Sequence, residues 1–592
     1  DGTYNFIGTT TLAGGDAGID ILNGSSGTFS FGAHTAITSP TGTAFNVSGS
    51  TAAITYSGSI TQANNAALVS ILNHSGGTIT FQTGTLGATN GTGLQFDNAD
   101  ATYNFNGTTT LNGGDAGIDI LNGSGGTFSF ASGTSITSPT GTAFNVSGST
   151  AAVTYNGSIT QANNAALVNV LNHSAGTLIF QTGTLNATNG TGLQFNNADG
   201  TYNFTGTTTL NGGDAGVDIV NGSDGTFGFG ANTAITHAAA GDAFVLTDSN
   251  SNLTYSGIVS DANGYAVRID NHDTGTVAFD SGSVILSSGP NALGLSVTNS
   301  NGGAVNFNGN TTLSTQANNA VTLSANAGGT VAFSSVGSSL GITTTSGTAF
   351  TIAGGGTINV LGPNGTITTG SGTILDISNA SAVTSTLNLN FAGASNTLGT
   401  NGILVSRTAG TLTGSVTINS GSITATSRGI DIDGGALSLS YAGSVAPSGV
   451  TARSVEVTNI TGGAITVSGN LTDNSLGINI ANNAGGSINF YGQSITLNTV
   501  ANVNAVTLAS NTGTNITFSS AAGGNGVDIT ASGTGNGIDF TGGGNLTVYS
   551  TGNSIQTATG QILNLVNGNV GSLGLVFDSL TSTGSTNGSA IN

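Results

Sequence analysis

The sequence predicts an all-β fold, a single-stranded parallel β-helix (β-solenoid) of about 23 coils with about 25 residues each. Three observations lead to this prediction. A short alternating segment recurs at a fixed period, Gly and Asn fill the gaps between segments, and no helical periodicity interrupts them. A solenoid suits a chain of 592 residues, because each coil packs only on its neighbours and no single large core is required.

The recurring segment is seen most clearly in Gly-Gly-Thr-Ile-Thr-Phe at residues 76–81. Its alternation predicts a strand with Ile79 and Phe81 turned inward and Thr80 turned outward. The last aromatic residue serves as a marker, and successive markers lie 24 to 26 residues apart. These markers are Phe6, Phe31, Tyr56, Phe81, Phe105, Phe130, Tyr155, Phe180, Phe204, Phe229, Tyr255 and Phe279.

The coils are grouped into a longer repeat of 99 residues, because the segment Thr-Tyr-Asn-Phe that begins at Thr3 recurs at Thr102 and Thr201. Residues 1–299 are therefore predicted to be regular repeats of four coils, and residues 300–592 divergent coils of the same continuous solenoid (1–592). The markers predicted in the divergent part are Phe307, Phe333, Val360, Phe391, Ile418, Leu439, Val467, Phe490, Phe518, Val548 and Phe577.

Each coil is predicted to contain three strands, which in the first coil are residues 4–6, 9–12 and 19–22. The third strand returns at residues 45–47, 68–72 and 94–96, and Gly or Asn is expected at corners that need a positive φ. A structural amide ladder is predicted at the corner after the third strand. Its members are Asn23, Asn73, Asn98, Asn122, Asn172, Asn197, Asn221 and Asn271, with Ser48 and Ser147 interleaved.

Both ends of the sequence lie within the coil pattern. Residues 1–4 are identical to residues 199–202, and residues 588–592 resemble residues 42–46, which lead into a third strand. Two explanations stay open. The sequence is either a segment of a longer solenoid, or subunits of roughly 110 Å stack end to end by strand addition and form a filament.

Composition excludes several classes of function. The formal net charge is −21, Lys is absent and only four Arg are present, so a nucleic-acid partner is not expected. No apolar run is long enough for membrane insertion. Cys, Met and Trp are all absent, which excludes disulfides and thiol chemistry. An extracellular location is the expectation, because the sequence reads as a processed segment without a start Met.

Two recurring motifs contain residue types found in ligand sites, but we interpret both as structural elements. Gly-Gly-Asp-Ala-Gly at residues 14–18 returns at 113–117 and 212–216, and His74 returns as His173 and His272. Copies that are four coils apart lie roughly 19 Å from each other, too far to share a calcium ion or a transition metal. We expect structural turns for the first motif and partly exposed corner residues for the three histidines.

The densest acidic group is Asp261, Asp270 and Asp273, with Asp280 nearby. Weak calcium binding is conceivable there, because hard cations are bound by several oxygens, but a solvated face is the favoured interpretation. No other cofactor is expected. The sequence identifies no residue as catalytic, cofactor-binding or metal-binding, and the chain is predicted not to be an enzyme.

A mixed-charge group offers the alternative, a secreted glycan-active β-helix enzyme of the lyase or hydrolase kind. The group consists of Arg428, Asp431, Asp433, Arg453 and Glu456. Such enzymes use carboxylates and basic residues on neighbouring coils, and both Asp side chains here would face outward from one strand. Glycosidase chemistry needs two carboxyl groups at a defined separation, which the sequence does not show.

A row of threonines precedes the markers by three residues, as at Thr28, Thr78 and Thr127. Ordered Thr rows occur on ice-binding solenoids, but Thr is also a favourable strand residue. The row is interrupted by Ala53, Ala152 and Asn252. This interruption favours the structural interpretation.

The pattern of residues 76–81 and 125–130, together with the Gly-Gly-Ala starts at Gly302, Gly434 and Gly462, resembles a known class of repeats. It is similar to the passenger regions of autotransporters and to filamentous-haemagglutinin-type adhesins of Gram-negative bacteria, over essentially the whole chain. The resemblance implies a right-handed, surface-exposed parallel β-helix. Function is then expected to be structural, as a filament subunit or an adhesin stalk of the kind used in biofilms, with a possible glycan or cell-surface receptor as partner.

Overall fold

Short alternating segments form strands along the whole of the described chain. The computed structural model describes residues 1–237, 239, 241–333, 339–362, 364–379, 383–407, 410–584 and 589–592. Within these ranges the chain forms 68 β-strands and no α-helix. The strands belong to three parallel sheets, called sheets 1, 2 and 3, to which each coil contributes in that order. The predicted all-β parallel β-helix is therefore confirmed.

The chain divides into two compact units, Asp1–Leu286 and Ser287–Asn592. Sheet 1 has twelve described strands in the first unit and eleven in the second, which agrees with the predicted coil number of about 23. One strand of sheet 2, Val284–Ser288, includes residues of both units. The prediction that residues 1–592 form one continuous solenoid stays a prediction.

The strands of the first unit are short and regular, and most have four or five residues. Sheet 1 contains Thr3–Phe6, Thr28–Phe31, Ala53–Tyr56, Thr78–Phe81, Thr102–Phe105, Thr127–Phe130, Ala152–Tyr155, Thr177–Phe180, Thr201–Phe204, Thr226–Phe229, Asn252–Tyr255 and Thr276–Phe279. Sheet 2 contains Thr10–Ala13, Thr35–Thr38, Ser59–Gln62, Thr85–Ala88, Thr108–Asn112, Thr134–Thr137, Ser158–Gln161, Thr184–Ala187, Thr207–Asn211, Thr233–His237 and Ile258–Asp261. Sheet 3 contains Ile19–Leu22, Phe45–Ser50, Ala67–His74, Gly93–Ala99, Gly117–Leu121, Phe144–Ser147, Ala166–His173, Gly192–Ala198, Gly216–Val220, Phe244–Thr247 and Tyr265–Asp270.

The strands of the second unit vary more in length. Sheet 1 contains Ala304–Phe307, Thr330–Phe333, Gly356–Val360, Thr384–Phe391, Thr411–Ile418, Ser438–Tyr441, Ala464–Val467, Ser487–Phe490, Asn515–Ser519, Asn545–Tyr549 and Asn569–Leu575. Sheet 2 contains Asn310–Gln316, Leu340–Thr344, Thr366–Thr369, Gly393–Asn396, Ser422–Ile423, Ser444–Val445, Leu471–Asp473, Ser494–Thr499, Gly526–Ala531, Ser554–Thr557 and Ser579–Ser582. Sheet 3 contains Gly294–Thr298, Val321–Ser324, Phe350–Ala353, Leu375–Ser378, Asn401–Ser406, Arg428–Gly435, Arg453–Ile460, Ile478–Ala481, Val506–Ala509, Ile538–Thr541 and Leu563–Val566.

The core of the first unit is built on the marker aromatics, which the strand register places directly above one another. Phe81 pairs with Phe105 and Phe105 with Phe130, and both pairs of rings are stacked with centroids 4.9 and 5.0 Å apart. Phe96 of sheet 3 meets Phe105 edge to face at 5.9 Å. Stacked and edge-to-face arrangements are both favourable for aromatic rings, so the interior is a continuous apolar ladder.

Three steps between predicted markers of the second unit are out of register by two residues, although Phe391 and Ile418 pair as predicted. Val360 pairs with Leu389 and not Phe391, Ile418 with Tyr441 and not Leu439, and Val548 with Leu575 and not Phe577. Residues i and i+2 share one face of a strand, so the apolar period cannot distinguish them.

The Gly-Gly turn before sheet 1 is needed for steric reasons. Gly77 has a φ of +76°, and a Cβ atom there would lie 2.6 Å from the Ala52 carbonyl oxygen of the preceding coil. A side chain at this corner would therefore push neighbouring coils apart.

The predicted third strand at residues 588–592 is partly seen. Ile591 forms an isolated parallel bridge with Leu563 of sheet 3, which is the sheet expected for this segment. Gly588, the first residue of that predicted segment, lies outside the described residues.

Candidate functional site

Charged side chains are concentrated on sheet 3. In the described chain, no strand of sheet 1 contains Asp, Glu, Lys or Arg, and the strands of sheet 2 contain only Asp261, Asp473 and Asp528. The charged residues in strands of sheet 3 are Asp20, Asp97, Asp119, Asp218, Arg268, Asp270, Asp376, Arg428, Asp431, Asp433, Arg453, Glu456 and Asp539. Sheet 3 therefore contains most of the strand residues that are capable of charged chemistry.

The mixed-charge group predicted from the sequence lies on two paired strands of sheet 3, Arg428–Gly435 and Arg453–Ile460. The register pairs Arg428 with Arg453 and Asp431 with Glu456. The Arg428 guanidinium donates from Nε to Glu456 Oε2 and lies 3.4 Å from Asp431 Oδ2. One arginine therefore bridges carboxyl groups from two neighbouring coils.

The other two members of the group, Asp433 and Arg453, form hydrogen bonds to residues outside the group. Asp433 Oδ1 accepts hydrogen bonds from Asn459 Nδ2 at 2.6 Å and from Thr458 Oγ1 at 3.2 Å. Arg453 Nη1 donates to the Leu476 carbonyl oxygen at 2.8 Å. The structure thus brings together Arg428, Asp431 and Glu456, while Asp433 and Arg453 have mainly local structural partners.

The two bridged carboxyl groups have opposite pKa shifts. Burial raises the pKa of Asp431 to about 6, against the opposing effect of the Arg428 charge. Burial also acts to raise the pKa of Glu456, but the hydrogen bonds from Arg428 and Asn479 outweigh it, and the net shift is downward. Near pH 6 the pair therefore contains one carboxyl group that is partly protonated and one that is ionised. Separated pKa values of this kind are typical of an acid and a base in one site.

A cavity of about 260 Å³ opens beside these groups. Its polar lining consists of Ser406, Arg428, Asp431, Asp433, Glu456 and Thr458. Adjacent parallel strands lie roughly 4.8 Å apart, which places the Asp431 and Glu456 backbones near the carboxyl separation of about 5 Å used by retaining glycosidases. The spacing of 25 residues between Asp431 and Glu456, one coil, was the sequence signal that could have identified the pair.

The three recurring histidines are buried, so the prediction of partly exposed corner residues is wrong. His74, His173 and His272 each have a relative exposure of 0%. His173 Nδ1 lies 2.8 Å from Tyr202 Oη, and His173 Nε2 lies 3.0 Å from the Ala151 carbonyl oxygen. The preceding Asn172 has a φ of +52°, and this turn directs the histidine into the core. Burial lowers the pKa of all three histidines.

The acidic group around Asp261 does not form a common face. Asp261 is 1% exposed, points inward and lies beside His237, so the solvated-face interpretation is wrong for this residue. Asp280 Oδ1 accepts a hydrogen bond from the Gly282 N–H at 2.9 Å in its own turn. Among the residues that the structure describes, no group of three or more His, Asp or Glu is arranged to hold a metal ion.

The Gly-Gly-Asp motif forms a turn that is tied to the next coil. Asp115 Oδ1 accepts a hydrogen bond from the Gly141 N–H at 2.8 Å. In the same turn the Gly114 φ is +55°. These contacts support the structural interpretation of the motif.

The predicted amide ladder at the corner is discontinuous. Asn98 Nδ2 donates to Asn73 Oδ1 at 2.9 Å, but Asn122 Nδ2 donates to Asp97 instead. Ser48 is not a member, since it pairs with Leu22 and Leu72, and Gly49 with a φ of +60° takes the corner position. The same shift places Gly148, and not Ser147, at the corner.

A more continuous polar ladder lies on the strands of sheet 3 and was missed. Asp119 accepts from Gln95 Nε2 at 2.7 Å and from Asn145 Nδ2 at 3.0 Å, and Asn145 in turn accepts from Asn169 Nδ2 at 2.9 Å. The second unit has the same arrangement at Asp539, which accepts from Asn564 Nδ2 at 2.6 Å. The sequence feature that could have predicted this ladder is an Asp, Asn or Gln at the central position of successive third strands.

The threonine row of sheet 1 exists in the structure. Thr78 pairs with Thr102 and Thr102 with Thr127, and Ala152 then interrupts the row as expected. The interruption agrees with the structural interpretation of the row.

No helix among the described residues is long and apolar enough to span a membrane. Comparisons with protein-family models, with curated proteins and with solved structures found no match to this chain. The functional argument therefore rests on the geometry and on the features of the sequence itself.

Proposed function

We propose that this chain is a non-enzymatic extracellular structural protein of a bacterial surface, either a filament subunit that stacks end to end or an adhesin stalk. The observation that supports it is the in-register ladder of backbone bonds and stacked aromatic rings, as in Phe180, Phe204 and Phe229. Such a ladder resists bending and extension because every coil is bonded to its neighbours. The resemblance to autotransporter passengers and filamentous-haemagglutinin-type adhesins supports the bacterial surface.

The coils at residues 3–6 and 569–575 have features suited to end-to-end stacking. In the described chain, Thr3–Phe6 pairs only with Thr28–Phe31, and Asn569–Leu575 pairs only with Asn545–Tyr549. Tyr4, Phe6 and Ile7 are 44%, 43% and 81% exposed, and Leu573 is 60% exposed. Unpaired strand edges with exposed apolar side chains are sites of strand addition.

A single backbone change tests the stacking. Gly2 and Phe6 carbonyl oxygens accept from the Thr28 and Gly32 N–H groups at 2.9 Å, so the intervening Asn5 directs its N–H toward the free edge. We expect Asn5→Pro to abolish filaments while the bonded edge stays intact, because Pro removes the outward donor. Electron microscopy of the chain at rising concentration measures filament length.

The matched control is Asn5→Ala, which keeps the N–H and should form filaments like the unmodified chain. Isolated particles of the unmodified chain at every concentration would contradict stacking. That outcome would favour the stalk, in which neighbouring coils of a longer chain occupy these edges.

The proposed partners follow from charge and resemblance. A second copy is the main partner, and a glycan or cell-surface receptor is the further one. Nucleic acid and membrane insertion are not proposed, because a net charge of −21 with four Arg gives no cationic surface for phosphates. No cofactor is proposed, apart from weak calcium binding at surface carboxylates.

The cavity beside Arg428 favours one second candidate, a secreted glycan-active enzyme. Asp431, with a pKa of about 6, would protonate the leaving oxygen, and ionised Glu456 would act as nucleophile or base. Arg428 would hold both carboxyl groups in place.

The test is release of reducing ends from a broad panel of polysaccharides. We expect Asp431→Asn to lower turnover by about 10²- to 10⁴-fold, the usual contribution of a general acid. Turnover by the unmodified chain should decline above pH 6 as Asp431 loses its proton. Asp376→Asn is the control, since Asp376 lies on the same sheet two coils before Asp431 and outside the cavity lining. Absence of turnover on every polysaccharide would exclude this candidate.

A further inference from the structure

The third 99-residue block contains a buried ionisable pair where the second block has neutral residues. At the end of sheet 2 strands, His237 pairs with Asp261. The corresponding positions of the second block are Ser138 and Gln161, which follow from the pairing of Thr137 with Thr160. Gln161 Oε1 accepts from the Asn163 N–H at 3.0 Å, and Asp261 Oδ1 accepts from the Asn263 N–H at 2.6 Å.

The His237 ring lies between two carboxylates. Its Nδ1 is 3.3 Å from Asp261 Oδ2, and its Nε2 is 3.6 Å from Asp214 Oδ1. The side chains of His237 and Asp261 are both 0% exposed, whereas that of Asp214 is 61% exposed. The ring therefore joins a fully buried carboxylate to one that is in contact with water.

Three further charged groups, Asp218, Asp242 and Arg268, lie on the strands and turns around the ring. Asp218 of sheet 3 interacts electrostatically with His237, Asp214 and Asp242. Arg268 lies 3.3 Å from Asp242 and offsets that one carboxylate. The remaining field is negative, so it stabilises a protonated imidazole. A buried carboxylate that loses its cationic partner is strongly unfavourable.

We propose that His237, Asp261 and Asp214 form a pH-sensitive contact that holds the strands Thr233–His237 and Ile258–Asp261 together and weakens as the pH rises. The change at the site is loss of one proton from the imidazolium, which leaves the buried Asp261 carboxylate with backbone N–H groups of Asn263 and Gly264 but without a cationic partner. The corresponding positions of the first and second blocks are Ser39 with Gln62 and Ser138 with Gln161, so these two blocks lack the ionisable pair.

The direction of the pH dependence follows from the pKa shift. The contact with Asp261 raises the pKa of His237 above its ordinary value of 6.5 and outweighs burial, which lowers it. A raised folded-state pKa means that the stabilisation is fully present below about pH 6.5 and is lost as the pH rises through the folded-state pKa. His173 behaves oppositely, since burial lowers its pKa and stability is lost as the pH falls below 6.5.

Backbone hydrogen exchange of the full chain, resolved into peptides, tests the proposal between pH 6 and pH 9 with correction for intrinsic exchange. We expect protection of residues 233–261 to fall relative to the matched residues 134–161. The fall is about tenfold for each unit by which the folded-state pKa of His237 exceeds the unfolded one. The variant His237→Ser/Asp261→Gln, which introduces the residues of the second block, should remove this difference.

A second measurement needs no variant. Exchange of the imidazole Cε1 hydrogen, followed by mass spectrometry, reports the pKa of each histidine in the unmodified chain. His237 should titrate above 6.5 and His173 below it. Equal loss of protection in both peptides, a difference that survives in the double variant, or titration of His237 below 6.5 would each overturn the proposal.

Discussion

At the residue scale, asparagine occupies the turn after sheet 3 in many coils. Eight predicted corner asparagines, including Asn98, Asn172 and Asn197, have φ values between 47° and 57°. Asn tolerates the left-handed region better than other residues with a side chain, because its short amide can bond locally. The backbone conformation, and not the side-chain ladder, is therefore the common requirement at this position.

Substitution of Asn197 separates the contribution of the backbone conformation from that of the side-chain hydrogen bond. Asn197 has a φ of +53° and donates from Nδ2 to Asn172 Oδ1 at 2.9 Å. We expect Asn197→Ala to destabilise the surrounding coils by about 1–2 kcal/mol through backbone strain, and Asn197→Gly to cost less than half of that. Local hydrogen exchange of the strand Gly192–Ala198 measures the difference. Asn196→Ala, one residue earlier in the strand, is the control, and equal effects of the Ala and Gly variants would contradict the strain argument.

Sequence reasoning found these asparagines but misplaced the histidines that follow them. The apolar period identifies side chains that alternate along a strand, and His74, His173 and His272 lie beyond the alternating part. Whether such a residue points inward depends on how the chain leaves the left-handed turn and on a partner 29 residues away, as for His173 and Tyr202. That partner is visible only when the coils are stacked.

At the element scale, the buried Tyr–His pairs link sheet 3 of one coil to sheet 1 further along. Tyr202 Oη lies 2.8 Å from His173 Nδ1 and accepts from the Gly200 N–H at 3.0 Å. Its ring also stacks on Phe227 with centroids 4.8 Å apart. The hydroxyl group therefore satisfies two buried polar groups that have no access to water.

Removal of that hydroxyl group should be costly. We expect Tyr202→Phe to destabilise the first unit by about 1–3 kcal/mol, because the His173 nitrogen and the Gly200 N–H lose their partner inside the core. The midpoint of thermal unfolding measures the effect. Tyr4→Phe is the matched control, since Tyr4 occupies the same repeat position but is 44% exposed. A similar midpoint for both variants would show that the pair is not structural.

The strand positions themselves could be predicted from sequence, because alternation and turn residues agree in almost every coil. The first coil was predicted at residues 4–6, 9–12 and 19–22, and the strands are Thr3–Phe6, Thr10–Ala13 and Ile19–Leu22. Register in longer strands was less certain. Thr384–Phe391 has four inward residues, and pattern alone could not choose between Leu389 and Phe391 as the partner of Val360.

At the scale of the whole molecule, charge is distributed by sheet. The strands of sheet 1 are uncharged over the described residues, whereas those of sheet 3 contain ten acidic residues and three arginines. The net charge of −21 was evident from composition, but this segregation was not, since it requires each residue to be assigned to a sheet. For the candidate site at Arg428, the sequence identified the residues of the group but not which of them are in contact. The geometry of the site depended on the register that places Asp431 beside Glu456.

The 99-residue block has a consequence for how the number of repeats can change by recombination. Gly93 pairs with Gly117 as Gly192 pairs with Gly216, so the junction between the first and second blocks is the same as that between the second and third. Loss or gain of one whole block between such copies therefore leaves the strand register at the junction unchanged. Unequal recombination at the near-identical repeats would therefore change the length of this protein in fixed steps, and each step would yield a foldable product.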